Sequence, residues 1–146
     1  MAIVKLAPAF KDYLWGGTKL KESYGKKTDL DIVAESWELS THPDGESVVT
    51  TGPYAGMKLS EYVNALGKDC LGTKGNAFEF FPILIKFIDA KQPLSIQVHP
   101  DNEYALRVEK EYGKTEMWYV LDCEEGASLY FGVNKEVTKE EFARRI

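Results

Sequence analysis

The chain has 146 residues, of which 44% are apolar, 28% charged and 12% aromatic, a mixture that specifies one folded domain and excludes disordered, collagenous and coiled-coil classes. The formal charge, 18 − 23 = −5, argues against a nucleic-acid surface. The longest apolar stretch, residues 80–85 with Pro82 inside it, falls far short of the roughly 20 residues of a membrane helix.

Residues 3–10, with Pro8 among them, read as a short strand. Lys5, Lys11 and Asp12 leave no room for a secretory apolar segment. Tyr13-Leu14-Trp15-Gly16-Gly17 is an aromatic run ending in a double glycine, a turn that needs positive φ or close backbone approach. Over residues 33–40, alternation puts Glu35, Trp37 and Leu39 on one strand face. His42-Pro43-Asp44-Gly45 is turn chemistry, and residues 47–51 are β-branched enough for a strand. Residues 59–66 place Leu59, Tyr62, Val63 and Leu66 at helical spacing, with Ser60 as the cap.

Residues 81–90 read as an apolar strand interrupted by Lys86, and residues 94–99 as an alternating one. A short polar helix over 101–112 is expected to end at Gly113. Residues 115–122 and 127–133 read as strands around a turn at Glu124-Glu125-Gly126. Thr138 and Glu141 form a capping box, with Val137 and Phe142 placed as a hydrophobic staple. The helix that starts there meets no Gly or Pro stop before Ile146, so the chain is expected to be the front portion of a longer one. Short strands between turns give a mainly β class, a sandwich or a barrel, with short helices.

The chemistry-bearing residues are few. Cys70 and Cys123 lie far apart and read as free thiols of a reducing cytoplasm, a single disulfide being the alternative. His42 and His99 are the two histidines. His42 reads as a turn residue. In residues 94–99, Ser95, Gln97 and His99 share one strand face and Leu94, Ile96 and Val98 the other. Two readings fit: an edge strand with a wet face, or a polar face turned into a cavity.

Glu116 follows 116 − 99 = 17 residues after His99, room for a helix and a return strand, and shares its face with Trp118 and Val120. A carboxylate among apolar neighbours needs a partner. Lys114 or Lys86 is one choice. The other is a cation held with His99 and Gln97, a donor set suited to zinc and ill suited to calcium or magnesium. Lys86 lies between Leu84 and Ile88 on an otherwise apolar face, which favours a lined pocket over plain solvent. Glu35 with Trp37, and Trp15 with its glycines, suit either a sugar platform or an ordinary core corner.

The chain resembles the type I phosphomannose isomerases, the zinc-dependent mannose-6-phosphate isomerases, and in particular the shorter bacterial kind. The resemblance rests on Tyr13-Leu14-Trp15-Gly16-Gly17 and on Ala34-Glu35-Ser36-Trp37-Glu38 with Thr41-His42-Pro43. It extends through Pro82-Ile83-Leu84-Ile85-Lys86-Phe87-Ile88-Asp89-Ala90, Leu94-Ser95-Ile96-Gln97-Val98-His99-Pro100-Asp101 and Gly113-Lys114-Thr115-Glu116-Met117-Trp118-Tyr119. It implies a cupin-type, jelly-roll β-barrel, of which residues 1–146 would be the N-terminal portion of a single domain. It implies one zinc per chain on Gln97, His99 and Glu116, with Trp15, Glu35, Lys86, Ser95 and Lys114 lining a sugar-phosphate pocket.

The family's fourth ligand is a histidine downstream of the glutamate, and a catalytic arginine lies further on. No histidine follows His99 here, and Arg144 and Arg145 come too early to replace that arginine. The implied reaction interconverts mannose 6-phosphate and fructose 6-phosphate through a cis-enediol. Lys86, Lys114 and a water on the metal are the candidates for the base. With those two groups missing, the 146 residues alone are expected to be weakly active or inactive. The alternative is a non-catalytic sugar-phosphate-binding cupin module. Nucleic acid and membrane are not expected partners, and the location expected is cytoplasmic.

Overall fold

Pro8 has no amide hydrogen to give a ladder, and it splits the first extended segment between two sheets. In the computed structural model, which describes residues 3–145, β1 (Leu6–Ala7) precedes it and β2 (Ala9–Lys11) follows it. The intervening elements are α1 (Lys19–Glu22), β3 (Glu35–Leu39), β4 (Val48–Val49), α2 (Leu59–Leu66) and β5 (Ile85–Ile88). β1 pairs antiparallel with β4, Leu6 opposite Val49. The second sheet has the order β2-β3-β5, antiparallel throughout. The chain forms two units, Met1–Leu94 and Ser95–Ile146.

The core of the first unit gathers Val49, Leu59 and Tyr62, with Val4, Leu6, Leu39, Tyr54 and Val63 against them. Burying side chains of this size contributes on the order of 1.5–3 kcal/mol each. Helix α2 has the expected limits, but Ser60 is not its cap. Lys58 is the N-cap, and its amide donates to the Glu61 carboxylate at 3.1 Å. Ser60 lies two positions further in, where its amide and hydroxyl both donate to Glu46.

The double glycine is required for close approach, with neither φ positive. A Cβ on Gly16 would lie 2.6 Å from the Ala34 Cα, and one on Gly17 would lie 2.5 Å from the Asp89 carboxylate. The two glycines bridge to Ala90 and Val33. The Trp15 loop is thereby sewn between β3 and β5. The turn at residues 42–45 closes as expected, Gly45 N–H donating to His42 O at 2.9 Å.

The second unit has helices α3 (Asn102–Val108) and α4 (Lys139–Ala143). Thr138 accepts from the Glu141 amide at 3.1 Å, one half of the capping box. The Glu141 carboxylate turns instead to Lys135 and Arg145. Strands expected over 94–99, 115–122 and 127–133 are absent among the described residues, and the expectation is corrected here. An extended segment becomes a strand only beside a ladder partner and under a covering layer. Here Ile96, Met117, Tyr119 and Phe131 are all at least 79% exposed. The closed barrel that the resemblance implies is accordingly not formed by the described residues, whose regular β-structure lies in the first unit. The α3 helix also stops earlier than expected, at Glu109, and Gly113 is not its stop.

Candidate functional site

Two groups of candidate side chains are built, one in each unit. In the first, register decides the contacts. Antiparallel pairing sets Glu35 opposite Ile88 and Trp37 opposite Lys86, so the Glu35–Lys86 contact is a diagonal across β3 and β5. Lys86 Nζ donates to Glu35 Oε1 at 2.9 Å, and Trp37 Nε1–H donates to Glu35 Oε2 at 2.6 Å. Glu35 is only 6% exposed, and each of its oxygens has a donor. The apolar face that made Lys86 conspicuous in the sequence thus resolves into a buried ion pair. Lys11 lies over the Trp37 ring, 4.6 Å from its centroid.

Trp15 is half-buried and stacks on Tyr13 at 5.6 Å between ring centroids. Its carbonyl accepts from the amides of Lys91 and Gln92, both at 3.0 Å. Burial pushes the Tyr13 phenol above its ordinary value, and the charges of Glu35, Asp44 and Asp12 push it the same way.

In the second unit, the segment before α3 and the segment after it come back together. His99 Nε2 lies 3.1 Å from Glu116 Oε2, and Lys114 Nζ lies 3.0 Å from Glu116 Oε1. Burial pushes the Glu116 carboxyl up, but hydrogen bonds from Lys114, Trp118 and His99 and the Lys114 charge outweigh it and hold the group below its ordinary value. Glu116 therefore takes the Lys114 partner that its sequence pattern offered, and it bonds His99 directly, where the other reading set a cation between them. Gln97 Nε2 donates to Ser95 Oγ at 3.4 Å, consistent with the shared face. Among the described residues no three His, Cys, Asp or Glu side chains cluster as a metal site. A third ligand beside His99 and Glu116 would have to be of another type, which Gln97 is.

Closing the 17-residue span between His99 and Glu116 has a length-dependent entropy of about 2.5 kcal/mol. One half-exposed hydrogen bond contributes only about 0.5–1.5 kcal/mol. Other contacts must hold the loop shut, through residues to which sequence reasoning gave no such role. Asp101 accepts from the Tyr104 amide at 2.9 Å and caps α3. Asn102 Oδ1 accepts from the Gly113 amide at 3.0 Å. Gly113 was legible as a special residue, but as a helix stop and not as a point of close approach.

Both cysteines, Cys70 and Cys123, are free thiols. No helix of the described residues is long and apolar enough to cross a membrane.

Residues 3–132 match the model of the phosphomannose isomerase type I catalytic domain. A mannose-6-phosphate isomerase of Streptococcus mutans is 41% identical over 133 residues, 91% of this chain and 41% of the relative. Mannose-6-phosphate isomerase ManA of Bacillus subtilis is 40% identical over 144 residues, 95% of this chain and 43% of the relative. The crystal structure of a mannose 6-phosphate isomerase from Bacillus subtilis superposes with a TM-score of 0.79 at 40% identity, covering 87% of this chain and 40% of that one. The chain spans about two-fifths of the length of the curated relatives it matches. With a family match over nearly all its length, and a backbone that follows a solved member, the chain belongs to the type I phosphomannose isomerase catalytic-domain family.

Proposed function

We propose that this chain forms the N-terminal portion of a cupin-type catalytic domain that interconverts mannose 6-phosphate and fructose 6-phosphate, a cytoplasmic reaction dependent on one zinc ion. The observation that carries the reading is the meeting of His99, Glu116 and Lys114 in one cluster. The donor set fits the ion. Two zinc bonds of about 2.0–2.1 Å at a tetrahedral angle place their donor atoms about 3.3 Å apart. His99 Nε2 and Glu116 Oε2 stand 3.1 Å apart, joined by a direct hydrogen bond that ligation would replace. Gln97 would add its carbonyl oxygen once its amide turns from Ser95.

Zinc held there would supply Lewis-acid polarisation of the sugar's carbonyl and hydroxyl oxygens. The chain's own residues do the rest. Lys114 orients the Glu116 carboxylate and, being about half exposed, keeps ammonium protons for a phosphate or a sugar hydroxyl. Lys86, the lysine of the first unit that the resemblance assigns to the sugar phosphate, has its ammonium held beside Glu35. Trp15 and Ser95 supply a ring face and a hydroxyl to the sugar. The aldose–ketose shift moves one proton between neighbouring carbons through a cis-enediol; Lys86 and Lys114 are the candidate residues to carry it, and either one must first release its ammonium proton to solvent to act as the base.

Elemental analysis of the purified chain tests the metal. One zinc per chain is expected, with loss in His99→Ala, Glu116→Ala and Gln97→Ala. A chain that takes up no zinc, or keeps it through all three changes, refutes the site. Coupled conversion of mannose 6-phosphate, with and without chelator, tests the reaction, and turnover that survives exhaustive chelation refutes the metal dependence. Binding of the sugar phosphate without turnover by the full native chain would favour the non-catalytic module instead.

A further inference from the structure

We infer that Gly113 and Asn102 form a clamp that sets the distance between His99 and Glu116, making both of them positioning residues for the metal; the inference rests on the zinc reading above. A Cβ placed on Gly113 would lie 2.5 Å from the Asp101 carbonyl carbon, 2.6 Å from the Pro100 oxygen and 2.7 Å from the Asn102 nitrogen. All three are backbone atoms, which cannot swing aside as a side-chain end can. The return segment therefore lies directly on the backbone that follows His99, and only a residue without a side chain permits this. Asn102, the first residue of α3, then locks the approach by accepting the Gly113 N–H.

The path between the two contacts is also determined. Asp101 caps α3, and Lys110, at φ 63, reverses the chain after the helix. Gly113 is 14 residues past His99 and three before Glu116, so its seat on Pro100 and Asp101 fixes where Lys114 and Glu116 emerge. An ordinary contact begins at 3.4 Å, so a methyl group at Gly113 has to push the segments apart by about 0.9 Å. Metal ligands tolerate about 0.2 Å. Changing residues that orient ligands lowers metal affinity by roughly 10–100-fold.

The test is titration of the chain with cobalt(II), read by calorimetry and by its d–d absorption bands, with far-ultraviolet circular dichroism as the fold control. Gly113→Ala and Asn102→Ala should bind cobalt at least about tenfold more weakly than the natural chain and with altered band shape. Asn102→Asp keeps an acceptor for the Gly113 amide and should restore the band shape. If Gly113→Ala fails to fold, the Asn102 pair decides. Cobalt binding that disappears in His99→Ala but is unchanged in affinity and spectrum in Asn102→Ala overturns the clamp and leaves the metal site standing. No cobalt uptake by the natural chain overturns both.

Discussion

Replacing Lys86 by Met keeps the length and apolar stem of the side chain and deletes its charge. Glu35 is then left as a carboxylate, 6% exposed, with the Trp37 indole N–H donating to it. Breaking a buried ion pair by removing one partner destabilises by about 3–5 kcal/mol. The Lys86 side chain is 20% exposed, so water can reach the gap, and a loss of about 2–3 kcal/mol follows for the first unit. With a urea slope of about 1–3 kcal/mol per molar, the midpoint should fall by roughly 1 M.

The Trp37 indole N–H resonance is the right probe, because it is bonded to Glu35 and reports the first unit alone. Adding Glu35→Gln to Lys86→Met removes the stranded charge while keeping an acceptor for the indole, so most of the lost stability should return. A Lys86→Met midpoint equal to that of the natural chain would refute the reasoning. It would mean that Glu35 is solvated in solution and that the diagonal pair does not hold β3 to β5.

Gly16→Ala should destabilise the first unit by about 1–3 kcal/mol, read as a lower thermal midpoint, because the added Cβ meets Ala34 backbone atoms at 2.6–2.7 Å. An unchanged midpoint would show that the Trp15 loop is not pinned to β3. Burial raises the Glu46 carboxyl, but hydrogen bonds from Ser60 and the charge of Lys58 more than reverse this and leave it below its ordinary 4.5. A depressed carboxyl contributes stability that is fully present above the unfolded value and is lost as pH falls through the folded one. The first unit should therefore weaken on acidification below about pH 4–5, and Glu46→Gln should flatten that decline in urea titrations run at a series of pH values. An equally steep decline in the variant would remove Glu46 from the acid response.

Much of the candidate site was legible because the chemistry is written in local alternation. Period two put Ser95, Gln97 and His99 on one face and Glu35 with Trp37 on another, and both hydrogen bonds that follow, Gln97 to Ser95 and Trp37 to Glu35, join residues two apart. The unusual placement of Lys86 and Glu116 in apolar strings announced that each needed a partner. The same alternation misled over residues 94–99, 115–122 and 127–133. A pattern can specify which face a side chain would take in a strand, yet it cannot supply the neighbouring strand whose amides make it one.

By itself, then, the sequence determined the family, the turn at residues 42–45, the limits of α2 and the cap at Thr138. Those features depend on neighbours within a few residues or on residue chemistry alone. Tertiary structure decided that Lys86 neutralises Glu35, that Glu116 takes His99 and Lys114 together, and that Gly113 is a seat for the chain and not a helix stop. The Lys86–Glu35, His99–Glu116 and Gly113–Asn102 contacts join residues between 11 and 51 positions apart. Their register is set by which surfaces pack, a property of the folded chain that no local pattern encodes.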